Sequence, residues 1–351
     1  MCRPQCDRKD FAMPLIKLHE APDIYNIKIP LPKNALRDLN VYVIVSEGEA
    51  LVIDTGFRME DCRVPLLEGL QELGIPMEKL SLFITHMHSD HAGQIDLFTP
   101  YGCKVYMNTE DIERLKQTLS GAARERLNAL YLRHGFPEKE LAEANLRNPI
   151  YAYAPSSAEM MIGVEDGQEL SIGSEKLRCL KTPGHTPGHT CLYMEKDQIL
   201  FAGDHILYDI TPNITTWSGM EDSLGAYMDS IKRTLSLPIA IAYPAHRELH
   251  SNHYERMRQI LHHHEERLNE VLSIVRKDPG CSAWEATSRM KWSIHGTGWH
   301  DYPVAQKWFA VGECMAHLEW LRLRGFVEYR EQNDRLYLYP TEVKAMVEIG
   351  W

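Results

Sequence analysis

The chain has 351 residues, 44% of them apolar and 25% charged, and a formal net charge of −11. That size and apolar content support a sizeable core in two domains or one large one, while the acidic balance makes nucleic acid an unfavoured partner. No apolar run reaches the ~20 residues a membrane-spanning helix needs, and eight scattered cysteines without a CxxC pair predict reduced, mostly buried thiols in a cytoplasmic protein.

The opening "MCRPQCDRKDF" lacks the apolar core of a signal peptide. Residues 1–20 are expected to be a flexible lead-in, with Cys2 and Cys6 as surface thiols. "NVYVIVS" (40–46) and "EALVIDTG" (49–56) flank a Glu-Gly turn and predict a hairpin. Val64, Leu67, Leu70 and Leu73 recur at helical spacing over 60–73, and Gly74 stops that helix. "LSLFITH" (80–86) and "CKVYMN" (103–108) are further strands. Residues 110–148 are polar and helix-rich, with Leu115, Leu119, Leu127 and Leu130 as the expected inward face of an insertion. Strands return at 175–185, 189–195, 198–204 and 239–246. Several of these apolar runs stop on a His or Asp, which places polar groups along one rim of a sheet.

Beyond about residue 255 the texture changes. A long helix carries Met257, Leu261, His264, Leu268 and Leu272 on one stripe; "SAWEATSRM", an amphipathic stretch 304–324, "GFVEYRE" and "RLYLYP" follow. Helix, helix and two-stranded ribbon is a winged-helix order. From residue 251 onward thirteen Lys/Arg face fourteen Asp/Glu, so the recognition helix lacks the positive charge that phosphate contacts require. This region reads as a packing and homodimerisation element that also walls the active site.

The stretch "ITHMHSDHAG" (84–93) holds His86, His88, Asp90 and His91 directly after an apolar strand. Imidazole and carboxylate at that spacing suit zinc, manganese or iron. Burying four such side chains without a binding partner is costly. "TPGHTPGHT" (182–190) adds His185, "FAGDH" (201–205) adds Asp204 and "YPAH" (243–246) adds His246. Seven donors suffice for two metals. His189 is expected to orient a neighbour, and His205 to point to the opposite face of its strand. His262, His263 and His264 succeed one another on a helix, so they face three directions.

The order HxHxDH, His, Asp, His resembles the metallo-β-lactamase-fold hydrolases over about residues 24–250, the hydroxyacylglutathione hydrolases (glyoxalase II) in particular. The resemblance implies an α/β, four-layer αββα sandwich over 21–254, followed by a small α+β winged-helix domain over 255–351. It implies two divalent cations, zinc foremost with iron or manganese as alternatives. His86, His88 and His185 would bind one, Asp90, His91 and His246 the other, and Asp204 would bridge them, with a hydroxide between the metals. Asp54 in "VIDTG" matches an aspartate that buttresses the histidine loop. Asp204 counts against lactam hydrolysis, because the true β-lactamases of this resemblance lack a bridging aspartate. Flavodiiron proteins carry Glu where this chain has His88, and sulfur dioxygenases use a single iron. Two departures stand out: Gln94 and Arg247 occupy positions where the pattern usually has glycine.

The expected function is a metal-dependent hydrolase in which a metal-bound hydroxide attacks a thioester or other small acyl ester, with Asp90 and Asp204 at the reacting centre and Asp90 relaying a proton. Tyr208, Trp217 and Arg247 flank the motifs as candidate substrate contacts. Two rivals remain: an RNA phosphodiesterase, to which Arg124, Arg126, Arg133 and Arg147 would supply a basic groove, and a ligand-sensing DNA-binding regulator.

Overall fold

The structure is a computed structural model and describes residues 15–292 and 298–350. Cys2, Cys6 and most of the expected lead-in lie outside the described residues. The end of that lead-in is not loose: β1 (Ile16–Glu20) pairs antiparallel with β2 (Asp23–Pro30).

Seven strands form the first sheet in sequence order: β1, β2, β3 (Asp38–Ser46), β4 (Glu49–Ile53), β5 (Leu80–Phe83), β6 (Lys104–Asn108) and β7 (Met161–Val164). Glu47 and Gly48, at φ 52° and 79°, turn the β3–β4 hairpin; two consecutive positive φ values match the right-handed twist of the flanking strands. The second sheet runs β12 (Ile241–Pro244), β11 (Ile199–Gly203), β10 (Thr190–Met194), β9 (Glu175–Lys181), β8 (Glu169–Ile172).

Side-chain alternation sorts these strands into layers. On β3 and β4, Tyr42, Ile44, Leu51 and Ile53 face the second sheet and meet Leu192, Met194, Ile199 and Phe201. Val41, Val43, Ala50 and Val52 face outward onto α1 (Glu60–Leu73) and the α2 turn (Ser89–Ala92). The other face of the second sheet, with Cys191, Tyr193, Leu200 and Ala202, packs on helices. The order is therefore helix, sheet, sheet, helix, as the resemblance implied.

Helix α1 ends at Gly74 (φ 68°), but its buried face is Cys62, Leu66, Gly69 and Leu70, with Val64 exposed. Ile27 of β2 explains the rotation: a Cβ on residue 69 would lie 2.7 Å from it, so the helix presses its glycine onto the strand. The insertion comprises α3 (Thr109–Leu119), α4 (Ala122–Arg133), α5 (Glu138–Arg147) and α6 (Pro149–Ala152). Leu115 is buried, Leu127 and Leu130 are half-buried, and Leu119, expected inside, is exposed. Helix α7 (Ser223–Leu235) covers the second sheet.

The C-terminal region contributes α8 (His253–Lys277), α9 (Ala283–Arg289), α10 (Val304–Leu323) and the ribbon β13 (Val327–Gln332) with β14 (Arg335–Pro340). All five stripe positions of α8 are buried. Its core is continuous with the second sheet and with Tyr131 and Phe136 of the insertion. Among the described residues no helix is long and apolar enough to cross a membrane, and all six described cysteines are free and buried.

Candidate metal centre

Strand direction gathers the site. β4 and β5 run parallel; β11 and β12 run parallel, and β9, antiparallel to β10 as β11 is, shares their direction. The chain therefore leaves β4, β5, β9, β11 and β12 along one rim, delivering Asp54, the 86–91 loop, His185, Asp204 and His246 in turn. Ligand sites form at such carboxyl ends of strands.

The seven expected donors meet. His88 Nδ1 lies 2.9 Å from His86 Nε2 and 3.0 Å from His185 Nε2. His246 Nε2 lies 3.3 Å from His91 Nε2, 3.5 Å from Asp90 Oδ2 and 3.4 Å from Asp204 Oδ1. Asp204 Oδ2 lies 3.4 Å from His185 Nε2. The ligand atoms group as His86, His88, His185 and as Asp90, His91, His246, with Asp204 joining His86 and His91 between them.

Hydrogen bonds on the outer nitrogens fix what the inner ones carry. His91 Nδ1–H donates to Asp54 Oδ2 at 2.8 Å, His246 Nδ1–H to Asp38 O at 2.7 Å, and His185 Nδ1–H to Asn213 O at 2.9 Å. In its neutral form each ring then directs a lone pair inward. His88 Nδ1, with a single proton or a single lone pair, cannot satisfy two nitrogens at once. Asp204 Oδ1 is buried without a hydrogen-bond partner. Buried acceptors facing buried acceptors are unfavourable until a cation sits between them, so the donor set fits divalent metal ions.

The electrostatics divide the cluster into a neutral imidazole side and a side that attracts positive charge, His91 and His246 being raised by their carboxylate neighbours against the opposing effect of burial. Burial, and then neighbouring imidazoles, keep His86 and His88 neutral, His88 down to about 3. Burial opposes charge on His91 as well, yet Asp54, Asp90 and Asp204 raise it to about 10. The carboxylate side of the cluster draws positive charge to itself.

Asp54 sits at φ 64° and accepts from Thr85 N at 2.8 Å besides holding His91. His189 Nε2 accepts the Asp204 N–H at 3.1 Å, and its Nδ1–H donates to Thr182 Oγ1 at 2.7 Å. His205 turns away from the cluster onto Thr234. Sequence reasoning missed Asp111, which is fully buried and accepts from Met87 N at 2.9 Å, Thr186 Oγ1 at 2.6 Å and Gly188 N at 2.7 Å. It ties the two histidine loops together, and a Cβ on Gly188 would sit 2.7 Å from its backbone nitrogen. Burial raises its carboxyl to about 6.

The two departures have local explanations. Gln94 donates through Nε2 to Phe57 O at 2.7 Å and Met59 O at 2.8 Å, lashing the loop after β4 to the histidine loop. Arg247 sits at φ 68°, the left-handed region that favours glycine; Asn40 Nδ2 holds its carbonyl at 2.9 Å.

A cavity of about 1470 Å³ opens over the cluster, lined by His88, Asp90, His185 and Asp204, and continues between the insertion and α10. Trp217 lines it, 6.0 Å from the His88 ring, with Nε1–H on His185 O at 3.2 Å. Tyr208 and Arg247, expected to touch substrate, are not among its lining residues. The Tyr208 hydroxyl is committed to Ala242 O at 3.2 Å and the Arg247 guanidinium to Ala35 O at 2.5 Å.

A face-to-face pair of mixed sheets that delivers a histidine–aspartate cluster from its strand ends is the architecture of a class of hydrolases that carry divalent metal. The Metallo-beta-lactamase superfamily model matches residues 36–246, and the chain belongs to that superfamily. Among curated proteins it is 26% identical over 222 residues to the atrochrysone carboxyl ACP thioesterase of Emericella nidulans, covering 63% of this chain and 55% of that one. It is 33% identical over 141 residues to the lactamase-like protein nscB of Trichophyton rubrum, covering 40% and 41%. The chain spans about 41–61% of the length of the curated relatives it matches. A solved metallo-beta-lactamase family protein from Thermus thermophilus matches with a TM-score of 0.74 at 27% identity, covering 91% of this chain and 98% of its own. A beta-lactamase domain protein from Burkholderia ambifaria shares the fold at a TM-score of 0.78 and 21% identity, over 96% and 97%.

Proposed function

We propose that the protein hydrolyses acyl thioesters at a dinuclear centre, with His86, His88 and His185 holding one divalent ion, Asp90, His91 and His246 the other, and Asp204 between them. The carrying observation is the inward convergence of lone pairs around the partnerless Asp204 Oδ1. Bound there, such ions supply Lewis acidity toward a carbonyl and lower the pKa of water toward neutrality. Asp54, Asp38 and Asn213 fix the imidazole tautomers through their outer nitrogens, and outer partners of this kind set ligand orientation and basicity. Asp90 keeps one oxygen at the cluster; against burial, His91 and His246 hold its carboxyl below the usual carboxylate range, so it would pass on the proton that hydrolysis releases without retaining it. Thiolate departs without prior protonation, so a thioester suits a site whose polar groups are committed to the cluster. The name of the Emericella nidulans relative supports thioester chemistry, though not the narrower glyoxalase II type.

The rival readings have less support. Arg124 stacks on Tyr151, Arg126 donates to Gln117 and Arg133 pairs with Glu331, so three of the arginines proposed for an RNA groove are engaged within the chain. As a recognition helix α10 is unsuited: Lys307 is buried on Glu140, Arg322 pairs with Glu319 and Arg324 with Asp222. The C-terminal region reads better as part of the hydrolase than as a DNA-binding winged helix. The test is a panel of thioesters, lactones, phosphodiesters and short RNA, assayed with zinc, manganese and iron beside metal analysis. Thioester turnover that chelation removes and metal restores is expected. Turnover confined to phosphodiesters, or turnover surviving full metal removal, would refute the assignment.

A further inference from the structure

The cavity over the cluster is far larger than a short acyl group needs. Pockets of ~300–1,000 Å³ enclose a drug-sized ligand, and this one has about 1470 Å³. Beyond the metal ligands its lining mixes polar and apolar side chains, the apolar ones including Leu127 and Leu130 of α4, Ile150 of α6, Met220, and Trp308 and Phe309 of α10. Two of these positions, Trp308 and Phe309, are fixed from behind. Trp308 stacks on Tyr131 at 5.2 Å with the rings 6° from parallel, and Tyr131 donates to Trp308 O at 3.0 Å. Asn213, whose carbonyl holds His185, donates to Phe309 O at 3.4 Å. The apolar wall and the metal cluster therefore share one support.

Five basic and six acidic side chains line the cavity, Lys33, Asp61, Arg126 and Glu221 among them, and five of the eleven are held in ion pairs with residues of the lining or just behind it. Arg114 lies 3.7 Å from Glu110, Arg133 2.9 Å from Glu331 and Glu313 3.5 Å from Arg267, and Arg322 pairs with Glu319. Such a lining, with acidic groups outnumbering basic ones, gives a polyanion little to bind and offers apolar surface beside them. Resting on the thioesterase reading, we infer that the substrate carries a bulky, uncharged apolar acyl group that fills the space between the helical insertion and α10.

The experiment compares N-acetylcysteamine thioesters of acetyl, butanoyl, octanoyl and dodecanoyl groups on the metal-loaded full chain. Calorimetry of the matching non-hydrolysable ethyl to dodecyl thioethers runs beside it. Burial of each methylene contributes up to roughly fourfold in affinity, so kcat/KM is expected to rise by roughly 100-fold or more from acetyl to octanoyl, and thioether affinity with it. Ala305 and Ala123 line the cavity from α10 and α4. Ala305→Trp is expected to lower the dodecanoyl-to-acetyl ratio by at least roughly tenfold, as lost apolar burial requires. Ala123→Trp repeats the test from the opposite wall if the first variant does not fold, with melting temperature and metal content as controls. A flat or inverted chain-length profile would overturn the inference. If no thioester is hydrolysed, the proposed function falls, and the thioethers alone then decide the pocket: tighter dodecyl than ethyl binding supports it, equal binding overturns it.

Discussion

Two groups of histidines, all buried except the half-buried His88, sit in this molecule, and they differ in what satisfies them. At the sheet rim, His88, His185, His91 and His246 turn nitrogens toward one another and toward Asp90 and Asp204. Behind the second sheet, His317 Nδ1–H donates to Glu313 O at 2.7 Å, and His264 Nδ1–H donates to His317 Nε2 at 3.2 Å. In the second group each proton has an acceptor, and no carboxylate faces the rings within ion-pairing distance among the described residues. Burial holds both imidazoles neutral, His317 down to about 3. Burial of histidine is thus shared by a metal centre and a packing cluster; acceptors facing acceptors, with carboxylates among them, belong to the first alone.

Ligand removal breaks the comparison most directly. Asp204→Ala or His88→Ala should lower turnover by on the order of 10³-fold or more, beyond the ~10–100-fold typical of outer partners. Bound metal should fall from two equivalents while circular dichroism stays native. Asp54→Asn comes next. Asparagine tolerates the positive φ at this position but can no longer match the His91 N–H and the Thr85 donors with a full carboxylate. Metal affinity measured by chelator competition should drop by ~10–100-fold; an unchanged affinity would show that His91 needs no buttress.

The donors were legible because each stands where an apolar run stops, a pattern that survives any error in strand boundaries. Asp111 was not. "NTEDIERL" reads as an ordinary helix start with an acidic first turn, and its partners Met87, Thr186 and Gly188 come from loops distant in the chain. The buried face of α1 was misjudged for a related reason: the four leucine-type positions fit helical spacing, but Gly69 lets Ile27 approach, and only the partner strand reveals that. Tyr208 stood close to the motifs in sequence, while its hydroxyl is turned to a strand carbonyl. Strand β2 escaped notice because Asn26, buried on it, interrupts its apolar pattern. The order of C-terminal elements was readable; their shared core with the second sheet was not, since helical stripes do not name the surface they cover.

The packing cluster should respond in stability instead. His317→Leu leaves His264 Nδ1–H buried without its acceptor, a loss of about 1–3 kcal/mol. Denaturant unfolding should register it with metal content unchanged. Replacing His264 by Leu as well should cost less than the sum of the two single changes, because both act on one contact.

The smallest effect separates the clusters by proton uptake. In the unfolded chain histidine titrates near 6.5, whereas folded His317 stays neutral down to about 3 and His264 is held well below the ordinary value. Between those limits the unfolded state binds more protons, so this stabilisation is complete above pH ~6.5 and drains away as pH falls. Each such group contributes at most about 1.4 kcal/mol per pH unit. The wild type and the His264→Leu, His317→Leu double variant keep the same metal ligands, so proton release and uptake at the rim cancels in their difference. Measured from pH 6 to 4.5, the double variant should show the shallower decline, by about 1 kcal/mol per pH unit for each histidine removed. Equal slopes would mean that these imidazoles accept protons without unfolding, and that the second cluster is no more closed to charge than the first.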